Sequence, residues 1–299
     1  MFRKRWGLAI WLGVALAVTA WSDCQAQPAV YTVNYPLQYF AERIGGAQVR
    51  VVFPAPADED LAFWTPDVEA IAAFQAADLI LLNGATYAKW LKTASLPKAT
   101  SVDTSRAFAA DFIAVEDTGT HSHGPAGEHS HGGTAFTTWL DLRQAVQQAQ
   151  AVKQALGHLL PDHRDSFDAR YGELESELLD LDELLQAIAE SAPGRPLLAS
   201  HPVYQYLARR YGLNIESVLW EPETLPDDGQ WQELQSILEG HPAAWMLWEG
   251  EPLAASVERL AALGVRSVVF DPCGNRPEER DFLSVMRENA AQLALALAP

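Results

Sequence analysis

The sequence predicts an α/β fold: two lobes, each a mostly parallel sheet flanked by helices, joined by one long backbone helix. Three observations carry that prediction. Short apolar runs alternate with helical segments in the first third of the chain and again in the last third, the pattern of β-α units feeding a parallel sheet. Between them, Phe167, Tyr171, Leu174, Leu178, Leu181, Leu185 and Ile188 recur at alternating spacings of four and three, an apolar stripe along one helix face. No proline falls between residues 162 and 190. At ~1.5 Å per residue an unbroken helix there reaches about 44 Å.

The elements follow in order. Ala29–Val33 reads as a strand, and Leu37–Ile44 as a helix ended by Gly45-Gly46. Gln48–Phe53 alternates as a second strand, and Thr65-Pro66-Asp67 opens a helix to Ala77 with Pro66 in its first turn. Asp78–Asn83 is apolar enough for a strand covered on both faces, and Tyr87–Thr93 is a short helix. After the central helix the rhythm returns. Strands are expected at Pro196–Ser200, Asn214–Trp220, Ala244–Glu249 and Val265–Asp271. Helices are expected at Val203–Tyr211, Trp231–Glu239, Leu253–Leu263 and Glu278–Leu297. A coiled-coil dimer seam would use the same central stripe. Only four heptads between globular flanks favour a helix that crosses behind both lobes instead. One helix bends less readily than several loop crossovers, so hinge motion on binding should be small.

These elements divide the chain into a signal peptide over residues 1–26, an N-terminal α/β lobe over 27–138 and a helical linker over 139–192. The long helix occupies 162–190, and a C-terminal α/β lobe follows over 193–299. Arg3, Lys4 and Arg5 precede an apolar run from Leu8 to Ala20, and Cys24-Gln25-Ala26 offers small-residue cleavage chemistry. That run is short for a membrane span. Trp21, Ser22 and Asp23 are poor company for a lipoprotein cysteine, so a cleaved, periplasmic chain is favoured over anchoring at Cys24. The formal charge is −18, and cleavage leaves about −20. Such a balance argues against nucleic acid and anionic membranes and attracts cations weakly. Of the two cysteines, Cys273 alone stays, so no disulfide framework is expected.

Four of the eight histidines, His121, His123, His129 and His131, fall in the window HSHGPAGEHSH. The surrounding glycines and Pro125 read as a mobile, solvated loop over residues 116–133, neither helix nor strand. Imidazole is a common ligand for zinc, copper and nickel, and a flexible arm suits capture and release. A merely polar loop has no need of His-x-His twice. Metal handling is the working expectation.

Four local segments extend it: Pro56 through Thr65-Pro66-Asp67, Trp139-Leu140-Asp141, His201-Pro202-Val203-Tyr204 with Tyr211-Gly212-Leu213, and Val269-Phe270-Asp271-Pro272. In frame and order these resemble the zinc and manganese solute-binding proteins of ATP-binding-cassette importers. That resemblance implies two lobes on a long helix and one metal in the cleft between them, with a histidine-rich acidic loop in many zinc members. It also implies delivery of the ion to a membrane permease. Asp60 stands where such proteins usually have a first histidine, and Thr137 where they have a second. Only His201 and Asp271 match in residue type. A threonine hydroxyl is a weak donor, so the resemblance leaves Asp60, His201 and Asp271, one nitrogen and two carboxylates. This set is harder than the usual zinc site. A loop histidine or Cys273 as thiolate could complete it.

Zn2+ is therefore the expected cargo, with Mn2+ or Fe2+ the alternative, and the partner is an importer permease served by a monomer. His158 and His163 are expected on the surface, and His241 in a turn. No His-Glu-x-x-His helix, glycine-rich phosphate loop or nucleophile elbow is present, and Glu249 with Glu251 lack a partner nucleophile. The expectation is accordingly no enzyme. A metallohydrolase and a periplasmic zinc buffer with a degenerate cleft are the rival readings.

Overall fold

The computed structural model describes residues 26–56, 64–115, 120–122, 128–130 and 133–298. The signal-peptide segment and Asp60 lie outside these residues. Among them, no helix is long and apolar enough to cross a membrane.

The first sheet contains β1 (Ala29–Thr32), β2 (Arg50–Val52), β3 (Leu79–Leu82) and β4 (Ser101–Asp103), in the order β2-β1-β3-β4, all parallel. Helix α1 (Tyr35–Gly45) links β1 to β2, capped by the Asn34 side chain, which accepts from the Leu37 amide at 3.1 Å. Helix α2 (Val68–Gln75) follows β2. Its cap is Asp67, accepting from the Ala70 amide at 2.7 Å. Pro66 therefore precedes the helix and is not in its first turn. The short helix expected at Tyr87–Thr93 is a single 3-10 turn, Lys89–Lys92. It follows left-handed Gly84, Ala85 and Thr86.

The histidine-rich window departs from the expectation of a structureless loop. β5 (Ala114–Val115) pairs with β8 (Gly133–Thr134) at its base, and β6 (Thr120–Ser122) pairs antiparallel with β7 (Glu128–Ser130), setting His121 opposite His129. Glycine and proline in a sequence punctuate hairpins as readily as loops, and β-branched Thr120 at the start of β6 was the overlooked signal. His123 and His131 lie outside the described residues, as do the side chains of His121 and His129.

Helices α3 (Leu142–Leu159) and α4 (Arg164–Glu190) follow, separated by a 3-10 turn at Pro161–His163. At 27 residues, α4 is about 40 Å long. It packs on α1 and α3, and on α5 (Gln205–Tyr211) and α8 (Phe282–Leu297), so one helix touches elements belonging to both sheets. Its stripe residues Phe167, Tyr171, Leu174, Leu178, Leu181 and Leu185 are buried in the chain's own core, with Ile188 partly so. A dimer seam has no free stripe to use.

The second sheet repeats the first in topology. β9 (Pro196–Ala199), β10 (Asn214–Ser217), β11 (Trp245–Trp248) and β12 (Arg266–Val269) are parallel in the order β10-β9-β11-β12. Helices α6 (Asp228–Gly240) and α7 (Ala254–Ala262) complete the crossovers. Period-2 alternation splits its side chains between two cores. Leu197, Ala199, Trp245 and Leu247 join the large core shared with the first sheet. Leu198, Met246 and Trp248 join a smaller one with Trp220 and Trp231. His241, expected in a turn, caps the C-terminus of α6 and is buried, with Nε2 2.8 Å from the Leu197 carbonyl oxygen. His158 is exposed and His163 half-buried.

Candidate metal centre

In an open parallel sheet, functional side chains gather just beyond the carboxyl ends of the strands, where the chain lifts away from the ladder. The second sheet extends its ladder slightly past β9. The Ser200 amide donates to the Leu247 carbonyl at 2.8 Å, and the Ser200 carbonyl accepts from the Trp220 amide at 2.7 Å. These two bonds hold the β10, β9 and β11 exits side by side. The next residues are His201, Glu221 and Glu249.

Among the described residues, these three form the group whose donor atoms all lie within 4.8 Å of one another and could share a metal ion. The His201 Nδ1 atom is 3.6 Å from Oε1 of Glu221 and 3.6 Å from Oε1 of Glu249. The imidazole is 3% exposed, the two carboxylate side chains 22% and 24%, so the histidine is the floor of the site and the glutamates its rim. Pro202 cannot donate to a continuing ladder, and the chain turns instead, with the Val203 amide bonding the His201 carbonyl at 2.9 Å.

Asp271, two residues past β12, lies outside this group. Its Oδ1 accepts from the Cys273 amide at 2.6 Å, and its backbone is clasped by Asn289, which accepts from the Asp271 amide at 3.0 Å and donates to the Asp271 carbonyl at 2.6 Å. Burial raises its carboxyl pKa, opposed by the Cys273 amide and Arg280. Cys273 is buried and left-handed (φ 56°), and burial, reinforced by Asp271 and Asp281, pushes its thiol well up. That environment opposes a thiolate ligand. Tyr204 is the bridge between Asp271 and the cluster. Its phenol, fully buried, donates to the Phe270 carbonyl at 2.7 Å. Its pKa is driven far up by burial, and then by Glu249 and Asp271.

Segments from the first half close on the same edge. The Thr137 hydroxyl donates to the Val203 carbonyl at 2.5 Å, which uses the proton a ligand would have to lose. The Trp139 indole donates to the Pro272 carbonyl at 2.7 Å, and the Tyr35 amide to the Gly274 carbonyl at 2.9 Å. Asn275 Nδ2 donates to the Pro56 carbonyl at 2.8 Å, where the segment carrying Asp60 departs. The histidine hairpin is rooted here too, because Ala135 accepts from the Tyr206 hydroxyl at 3.0 Å. His201 and Asp271 thus share one edge, while the residues that meet His201 are Glu221 and Glu249. Neither glutamate was singled out as a ligand from sequence, and Glu249 was set aside, with Glu251, for want of a partner nucleophile. Glu221 directly follows an expected strand and Glu249 ends one, and an ionisable residue at that place was the available signal.

The profile of the ZnuA family, described as "Zinc-uptake complex component A periplasmic", matches residues 30–296. The zinc-binding lipoprotein AdcA of Streptococcus pneumoniae R6 is 23% identical over 276 residues, covering 88% of this chain and 54% of that protein. The chain spans about half the length of that pneumococcal relative. The high-affinity zinc uptake system protein ZnuA of Bacillus subtilis is 24% identical over 308 residues, covering 97% and 96%. Among solved structures, the metal-dependent lipoprotein YcdH of Bacillus subtilis superposes with a TM-score of 0.77 at 20% identity, covering 91% and 100%. Zn(II)-bound AdcA superposes with 0.77 at 19%, covering 91% and 58%. At these identities the structures establish the two-sheet fold alone. Since the profile takes in nearly the whole chain, the protein belongs to the ZnuA family.

Proposed function

We propose that this protein is an extracytoplasmic receptor that captures a divalent cation, zinc first, where the two halves meet, and delivers it to the permease of an ATP-binding-cassette importer. The observation that carries this reading is a nine-tenths-buried imidazole facing two carboxylates at the carboxyl edge of a parallel sheet, in a chain of a zinc-uptake family. Relatives named for zinc binding and zinc uptake support the choice of metal. Mn2+ or Fe2+ remains the alternative cargo, because carboxylates are hard donors. His201 is the central ligand. Asp271 lies on the same edge, Asp60 is assigned a supporting ligand role, and His121, His123, His129 and His131 act as an arm that raises local metal concentration. The reading assigns binding and release, with no catalytic step, to a monomer exported by cleavage near residue 26.

The test is calorimetric titration of zinc into the chelator-stripped protein and its His201→Ala variant. One tight equivalent in the wild type, weakened at least ~100-fold in the variant, is expected. No uptake at micromolar zinc, or a tight site indifferent to His201, would overturn the reading. The latter with loss on hairpin deletion would favour a zinc buffer.

A further inference from the structure

Resting on that receptor reading, we propose that Glu221 and Glu249 are metal ligands. With Nδ1 of His201 they form a three-donor zinc site built wholly from the carboxyl ends of β9, β10 and β11. Donors about 2.1 Å from a tetrahedral zinc stand about 3.4 Å apart, whereas a hydrogen-bonded nitrogen and oxygen approach to about 2.9 Å. Both His201–glutamate separations are 3.6 Å, and the three donor atoms lie within 4.8 Å of one another, near enough to share one ion. The first sheet supplies an internal control. Asn34 and Asn83 occupy the same offsets past β1 and β3 that His201 and Glu249 occupy past β9 and β11. There Nδ2 of Asn34 donates to Oδ1 of Asn83 at 3.1 Å, an ordinary hydrogen bond.

Charge agrees with spacing. Two carboxylates and one neutral imidazole balance a dication, and one nitrogen with two oxygens is within zinc's accepted donor chemistry. The partly exposed glutamates give a bound ion a route to water, which a site that must load and release its ion requires. The buried imidazole fixes the floor. The three ligands thereby come from the second sheet, at the edge on which segments of the first half close. The segment containing Asp60, the hairpin histidines and Asp271 can assist loading without being needed for the tight site.

The full chain, stripped with chelator and loaded with one equivalent of zinc, is crystallised, and anomalous scattering is mapped at the zinc edge. The expected peak lies about 2.1 Å from His201 Nδ1 and from carboxylate oxygens of Glu221 and Glu249. Glu221→Gln and Glu249→Gln are each expected to weaken zinc binding more than ~100-fold. Asp271→Asn is expected to change it less than ~3-fold. A peak on Nε2 of His201, or on Asp271, away from the two glutamates would overturn the proposal. The glutamates would then only orient the ring, and the receptor reading would stand. Absence of zinc from the wild-type crystal would instead sink the receptor reading. Should either glutamine variant lose its circular-dichroism signature, the wild-type map alone decides.

Discussion

The two sheets share one strand order, 2-1-3-4 in order of appearance, yet close their carboxyl edges with different chemistry. Past β1 and β3, Asn34 and Asn83 bond each other, and Gln148 Nε2 donates to Oδ1 of Asn83 at 3.1 Å and to the Thr104 hydroxyl at 3.1 Å. Asn83 also donates to the Phe136 carbonyl at 2.9 Å. Amides and hydroxyls there satisfy one another in the interior, and the edge is a structural joint. Past β9, β10 and β11 stand a buried imidazole and, 3.6 Å from it, two part-exposed carboxylates. One topology thus carries mutually bonded amides and hydroxyls at one edge and ionisable side chains of metal-ligand type at the other.

The comparison can be broken, and the largest expected effect concerns what keeps the two sheets in place. Asp182 interrupts the apolar stripe of α4 and is buried. It accepts from Arg143 of α3 at 2.7 Å, Arg210 of α5 at 2.7 and 2.9 Å and the Tyr211 hydroxyl at 3.1 Å. Asp182→Ala should cost about 3 kcal/mol by urea unfolding, the lower end for a broken buried pair because both arginines are partly exposed. Burial alone would raise the Asp182 carboxyl, but the guanidinium groups of Arg210 and Arg143 hold it below its ordinary value. With a depressed folded pKa, its contribution is present above the unfolded value near 4 and is lost as pH falls through the folded one. The stability gap between wild type and Asp182→Asn should therefore shrink below about pH 4. A constant gap would refute that assignment.

Next in size is the contrast between the edges. Asn83→Ala should destabilise by about 2 kcal/mol, since it strands buried partners, and leave zinc affinity within ~3-fold. Glu249→Gln should do the reverse, with stability changed by about 0.5 kcal/mol or less and zinc affinity collapsing. Equal stability losses in both would erase the distinction. Smallest is Trp139→Phe, which removes the bond to the Pro272 carbonyl. A loss of about 1 kcal/mol with zinc binding retained is expected from thermal and calorimetric measurements.

Much of the fold was legible because its signals are local. The runs that became β3 and β11 are short and apolar because both faces are covered, and the α4 stripe has the helical period. Boundaries drifted where capping decided them, as at Asp67. Strand β4 was missed because Ser-Val-Asp carries almost no apolar signal. The site was legible only in part. His201 could be named from its own turn, but Glu221 and Glu249 become its neighbours only once β9 lies between β10 and β11. That order is a tertiary fact. Asp182 was hidden for the same reason, its partners being on two other helices. His241 stayed obscure because a His-Pro pair suits a helix cap over a core carbonyl as well as an exposed turn.

The central claim is that the carboxyl edge of the second sheet holds one divalent ion through Nδ1 of His201. Long-range nitrogen–proton NMR of the histidine rings reads this directly, with the His201→Ala variant supplying the assignment. On adding one equivalent of zinc, the Nδ1 resonance of His201 should move to its metal-bound position before any hairpin histidine responds. An unmoved Nδ1, with the shift on Nε2 or on the hairpin rings alone, would contradict the account.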